Sequence, residues 1–200
     1  MSQPTRRTSG ALVGLVLLAL LVTGCEDDNG DDQVSMAPSG TASGASAADP
    51  PVETTVAFGS VTGRLPRAAR HRLAGQVRRV VDRWIDAAYV QGDYPRRDFD
   101  RSWPGFTSGA RAEARRDGGL MSNRDVGARI EGVEARRRTV RLDVLAVKRR
   151  PVGVTAHVRL RFRTTGPAAR GVLVSGRLLL TPGKRGWQVF GYDIAKGDSR

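Results

Sequence analysis

Between Val154 and Phe162 every second residue is apolar: Val154, Ala156, Val158, Leu160 and Phe162. The intervening positions hold Thr155, His157, Arg159 and Arg161, and Arg163 follows in step. A period of two sends alternate side chains to opposite faces of a strand. This segment therefore predicts a strand with one face in a core and the other, strongly basic, in water. Val140, Leu142 and Val144 alternate in the same way with Arg141 and Asp143. Val172, Val174, Leu178 and Leu180 predict a further strand, and the turn Thr181-Pro182-Gly183-Lys184 leads to a last one over residues 187–194. A first strand is expected near residues 126–135.

Upstream the period changes. Leu73, Val77, Val81, Trp84, Ile85 and Ala88 fall at steps of three and four and make one helical stripe. Arg72, Arg79, Asp82, Arg83 and Asp86 fall mostly on the other side. Pro66 suits the first turn of this helix, and Gly92 and Pro95 mark its end. A short second helix is expected over residues 108–117, with Thr107 or Ser108 as its cap and Gly118-Gly119 as its stop. Helices followed by a run of antiparallel strands predict an α+β fold.

The N-terminal region has another character. Arg6 and Arg7 precede twelve uncharged residues, 11–22. That run is too short for a hydrocarbon core, which needs about 20 apolar residues. It matches the apolar region of a secretory signal. The pair Arg6-Arg7 also suggests twin-arginine export, although Thr8-Ser9-Gly10 lacks the apolar position expected after it. The run ends in Val22-Thr23-Gly24-Cys25, which resembles the lipobox of bacterial lipoproteins. The resemblance implies removal of residues 1–24 and a thioether link from Cys25 to diacylglycerol, with further acylation such as palmitate. One acyl chain binds membranes marginally, whereas two or more anchor stably. Cys25 is the only cysteine in the chain, so no internal disulfide can form and an exported domain must rely on its core.

Residues 26–56 hold Glu26, Asp27, Asp28, Asp31, Asp32, Asp49 and Glu53 and no Lys or Arg. The rest is mostly Ser, Gly, Ala, Thr and Pro. Such a composition buries too little apolar surface to offset its ordering entropy. Residues 25–56 are expected to be a lipidated, acidic, disordered tether with a reach of roughly 30 Å. Residues 57–200 are expected to form one domain. That domain carries 31 of the 33 basic residues and 13 of the 20 acidic ones, a net charge of +18. All but Lys148, Lys184 and Lys196 of its basic residues are arginines. A GC-rich genome could produce that ratio without selection for function. The field it creates nevertheless favours anionic partners such as headgroups, phosphate-bearing wall polymers or acidic proteins. The acidic tether could compete with them for the basic domain. Nucleic acid is the usual partner of a basic domain. Export argues against it, as do the lack of zinc spacing, of a helix-turn-helix pattern and of aromatic-basic interleaving.

A long N-terminal helix, a short helix and four or five curved antiparallel strands are similar to the NTF2-like cone fold. The closing stretch Gly186-Trp187-Gln188-Val189-Phe190-Gly191-Tyr192-Asp193-Ile194 resembles the last strand of such domains, as does the Pro-Gly-Lys turn before it. The resemblance covers residues 60–196. It points to actinobacterial exported NTF2-like proteins, including those associated with mammalian-cell-entry (Mce) transport systems. NTF2-like enzymes place Asp, Tyr, His or Arg inside the cone, but no local motif here aligns to theirs. The fold hosts enzymes, carriers and interaction modules, so it does not assign a function.

Two surfaces are candidates. Tyr89, Tyr94, Asp98, Asp100 and Trp103 could wall a pocket at the mouth of the cone, with Asp98 or Asp100 as a base. The alternative is that Trp103, Pro104 and Phe106 plug the core and the aspartates pair with Arg96, Arg97 and Arg101. Arg159, Arg161 and Arg163, with Arg141 from a neighbouring strand, could form a basic strip for an anionic partner. The alternative is an ordinary solvated sheet face. Such a strip argues against a homodimer through that face. Trp84, Trp187, Phe190 and Tyr192 read as core. His71 reads as solvated and His157 as facing the charged side of its strand. With two histidines, no metal-ligand spacing and no Gly-x-Ser-x-Gly turn, no metal, cofactor or catalytic residue is assigned. The expectation is an extracytoplasmic, membrane-anchored lipoprotein presenting a non-enzymatic binding domain. Alternatives are a carrier or enzyme using the cone interior, and an accessory subunit of an envelope transporter.

Overall fold

The computed structural model describes residues 51–199, so Cys25, the apolar run and most of the acidic segment lie outside the described residues. Five strands and three α-helices make an α+β fold. Strand β1 (Thr54–Thr62) comes first, followed by helices α1 (Arg67–Ile85), α2 (Ser108–Arg116) and α3 (Gly118–Met121). Strands β2 (Gly132–Val147), β3 (Arg150–Thr165), β4 (Gly171–Gly183) and β5 (Gly186–Asp198) follow. The strands lie side by side in sequence order, and β2 to β5 form an antiparallel meander.

The expected antiparallel sheet is corrected here. β1 pairs in parallel with β2, so the sheet is mixed. β1 also starts at Thr54, within the stretch read as tether, and among the described residues a strand rather than a helix comes first. With only nine residues, a central Gly59-Ser60 bulge and acidic sequence upstream, it gives a poor alternating signal. The strand expected near residues 126–135 begins only at Gly132, and it is the start of β2. Gly127–Arg129 is a single 3-10 turn. Gly118 and Gly119 do not stop the second helix for good, because α3 begins there.

Helix α1 buries Leu73, Val77, Val80, Val81, Trp84 and Ile85 against the sheet. It runs on as a π-helical turn, Asp86–Val90, which carries Ala88 and Tyr89 inward. Inward residues of the strands complete one cluster, among them Leu142, Leu160, Phe162, Leu178 and Leu180. Trp84 is buried at its centre, 5.6 Å from the Tyr89 ring in an edge-on arrangement, and its Nε1 donates to Met121 O at 3.3 Å. The buried members of this cluster all lie between Leu65 and Ile194. A chain of residues 51–200 therefore carries all of it, enough apolar core to fold on its own.

Lys196 ties β5 to the loop after α3. Its Nζ donates to Gly119 O (2.9 Å), Ser122 O (2.8 Å) and Asp125 Oδ1 (2.6 Å), so all three protons are used. Burial nevertheless pushes its pKa down, against the opposing pull of Asp125. The three tyrosines of the chain are pushed the other way. Burial raises Tyr89, Tyr94 and Tyr192, and for Tyr192 the hydrogen bond to Asp117 adds to it. Above about pH 10 the unfolded chain releases tyrosine protons that the fold retains, so stability falls as pH rises. Lys196 opposes this, since its folded pKa lies below its unfolded one, but it is one group against three. Tyrosinate absorbance is thus expected only together with loss of the far-ultraviolet dichroism. Reversible titration of all three tyrosines with the fold intact would contradict it.

Candidate functional site

The side of the sheet away from α1 collects the residues between the core positions. Across β2, β3 and β4 it reads in rows: Arg137, Arg161, Leu173; then Thr139, Arg159, Ser175; then Arg141, His157, Arg177, with Asp193 of β5 continuing the last row. Arg163 stands opposite Glu134 and beside Gly171. The alternation seen in the sequence thus places Arg141, Arg159, Arg161 and Arg163 on one face, all exposed.

Their surroundings differ. Asp143 accepts from the Ser60 N–H (2.8 Å), from His157 Nε2 (2.6 Å) and from Arg141 Nη1 (3.3 Å). The Ser60 N–H, supplied by the bulge in β1, holds the Asp143 carboxyl below its ordinary value, with His157 and Arg141 assisting against burial. Arg177 pairs with Asp193 at 2.6 Å. Arg159, Arg161 and Arg163 have no carboxylate partner among the described residues. A cavity of about 540 Å³ opens beside them, lined by Arg136, Arg161, Phe162, Arg163, Gly171 and Ser199. Among the described residues, Arg161 and Arg163 reach this cavity unpaired, while Arg136 is held by Glu134; two such guanidinium groups suit a phosphate or carboxylate, which they can bind with paired N–H donors.

Asp143, His157 and Ser60 do not form a nucleophile relay. Ser60 meets the carboxylate through its backbone N–H, and among the described residues no hydrogen bond joins its hydroxyl to the imidazole that would activate it.

Of the five aromatic-acidic candidates only Asp100 and Trp103 share a cavity, of about 260 Å³, with Arg101, Pro104, Arg111 and Arg115; Tyr89, Tyr94 and Asp98 do not line it. Tyr89 and Trp103 are core residues, and Tyr89 donates to Leu120 O at 2.7 Å. Tyr94 is half-buried, donating to Tyr89 O (2.9 Å) and accepting from Asn123 Nδ2 (3.2 Å). Asp98 and Asp100 are exposed, and Asp98 Oδ1 accepts from the Asp100 N–H at 2.8 Å in a tight local turn. Arg96 ignores both carboxylates. It donates to Ala87 O, Gln91 O and Asp98 O and stacks 4.2 Å from the centre of the Phe99 ring.

A different cavity, of about 700 Å³, lies beside the π-helical turn, between Val90, Gln91 and the start of β2. Arg138 lines it and pairs with Asp86 at 2.8 Å. Arg137, Arg138 and Arg177 were not among the candidates. The β2 arginines occur as the run Arg136-Arg137-Arg138, and a bulge at Arg136 decides which of them face outward. Phe190 is corrected as well. It is the extra residue of a bulge in β5 and stands on the outer face, 51 % exposed. No family model, no curated protein and no solved structure matches this chain.

Proposed function

We propose that the chain is an extracytoplasmic lipoprotein, held to the membrane through a lipidated Cys25, whose basic NTF2-like domain binds an anionic envelope component. In this reading the domain is an interaction module, and its partner is a phosphate-bearing polymer, a headgroup surface or the acidic face of a membrane protein. The observation that carries it is the row of Arg159, Arg161 and Arg163, aligned on a solvated sheet face without carboxylate partners among the described residues. The residues between α1 and the sheet are themselves packed core, which favours an outer-face role over one inside the cone.

The test replaces Arg159, Arg161 and Arg163 with Ser. Affinity for long-chain polyphosphate is expected to fall roughly a hundredfold, on the scale of about 1 kcal/mol per cation. Binding by the unaltered domain should weaken steeply with salt, because the Debye length is about 8 Å at physiological ionic strength. Salt-independent binding, or full affinity in the triple variant, would sink the reading. Cys25→Ala should abolish labelling with radioactive palmitate, and persistent labelling would remove the anchor. A carrier role is a second reading, favoured by the cavity near Gln91 and Arg138. It predicts an amphiphile bound at that site and lost in Arg138→Met.

A further inference from the structure

Four large apolar side chains stand exposed among the described residues: Leu145, Val147, Val152 and Phe190. All four lie toward one end of the sheet. β2 ends there at Val147 and β3 starts there at Arg150, while β4 ends at Gly183 and β5 starts at Gly186. β1, parallel to β2, ends at the same level, with Thr62 beside Leu145. Leu145 and Phe190, together with half-buried Leu179, line a shallow cavity of about 320 Å³ on the outer face, bordered by Asp143.

The turns at this end are cationic. Lys148 and Arg149 join β2 to β3, Arg150 follows, Lys184 and Arg185 join β4 to β5, Arg64 lies between β1 and α1, and Arg67 opens α1. Residues 61–81, 144–154 and 178–192 contain no Asp or Glu. The β2–β3 turn also departs from local preference. Lys148 (φ 47°) and Arg149 (φ 64°) both occupy the left-handed region, as a type I′ hairpin turn requires. Asn-Gly suits that turn, whereas a Lys-Arg pair is held there against its own preference. Such outliers cluster at sites of function and persist where the surrounding structure fixes them.

We propose that this end of the sheet docks on an anionic lipid bilayer. The exposed Leu145, Val147, Val152 and Phe190 enter the interface, and the cations of the two hairpin turns hold the headgroups. Apolar side chains within a basic rim match the interfacial region of a membrane in both polarity and charge. A second copy of this chain fits poorly, since pairing the two ends would set Lys148, Arg149, Lys184 and Arg185 against their equals. Fully stretched, the chain from Cys25 to Thr54 could span at most about 100 Å, and its relaxed reach of roughly 30 Å already matches β1, which is about 26 Å long. The domain can therefore turn this end to the membrane that holds Cys25. That last point rests on the anchored reading, and the vesicle measurement below does not.

Residues 51–200 are mixed with phosphatidylcholine vesicles containing or lacking 30 % phosphatidylglycerol, and binding is followed by co-sedimentation. Binding only to the anionic vesicles is expected. Lys148→Asn with Arg149→Gly should weaken it roughly thirtyfold. That variant adopts the preferred turn sequence, so its melting temperature should be unchanged or higher and misfolding cannot explain the loss. Leu145→Ser with Val147→Ser should weaken vesicle binding about tenfold and leave polyphosphate binding intact. For the full chain reconstituted in vesicles, Phe190→Trp should be quenched by brominated acyl chains. Vesicle binding that ignores the tip variants but is lost with Arg159, Arg161 and Arg163 overturns this proposal and leaves the basic-face reading standing. Equal loss toward vesicles and polyphosphate in the turn variant, with no effect of Leu145→Ser and Val147→Ser, also overturns it. So does self-association abolished by those two changes.

Discussion

Trp84→Ala is expected to lower the stability of the domain by about 3–5 kcal/mol, the range for emptying an aromatic core site. Trp84 is the contact between the last turn of α1, the Tyr89 and Phe106 rings and the end of α3. Its removal leaves a void among side chains that are held from several directions and cannot collapse together. Met121 O loses its donor as well. In a domain of this length the melting temperature should drop by roughly 10–20 °C. A thermal melt followed by circular dichroism checks it. A drop of only a few degrees would mean that α1 can slide to refill the space, so that the packing is looser than the ring geometry indicates.

Gly176→Ala is expected to cost about 3 kcal/mol for a different reason. Gly176 sits in the middle of β4, between Val158 and Ile194, with φ at +145°. L-residues rarely adopt that angle. A Cβ there would also drive into the backbone of β5, coming within 2.8 Å of Ile194 Cα and closer still to Asp193 O. Neither contact is the end of a flexible side chain, so the strands themselves must separate. Gly153→Ala is the matched control. A Cβ at Gly153 meets nothing within 4 Å, and its expected effect is within about 0.5 kcal/mol. Equal melting temperatures for the two variants would refute the argument from backbone approach.

The antiparallel core was legible because its residues obey simple periods. Leu73, Val77, Val81, Trp84, Ile85 and Ala88 were expected on one helical face, and all are buried. Val154 to Phe162 were expected to alternate, and they do. β1 was not legible, since its place depends on β2 and not on its own pattern. Thr54 has its hydroxyl on Asp82 and Ser60 has its N–H on Asp143, contacts no local reading can supply. Phe190 was misplaced because a one-residue bulge reverses the side on which a strand residue falls. Of the outer face, the direction of Arg141, Arg159, Arg161 and Arg163 followed from spacing. Their pairing did not: Arg141 is engaged by Asp143, while no carboxylate among the described residues pairs with the other three. The basic end of the sheet was invisible for a plainer reason. It is assembled from three turns far apart in the chain, and only the strand directions bring them level.

The parallel pairing of β1 with β2 bears on the order in which the domain is built. Strands β2 to β5 are joined by short turns, so each can pair with its neighbour as soon as both exist. β1 must wait for a strand whose contacting residues lie some eighty positions later, as with Ser60 and Asp143 at a separation of 83. Loop closure over that distance precedes any reward from pairing, which makes such contacts late in folding. Among the described residues β1 is also a sheet edge, with a neighbour on one side only. The strand next to the N-terminal segment is therefore the last seam to close during folding and the first to open when the domain is strained.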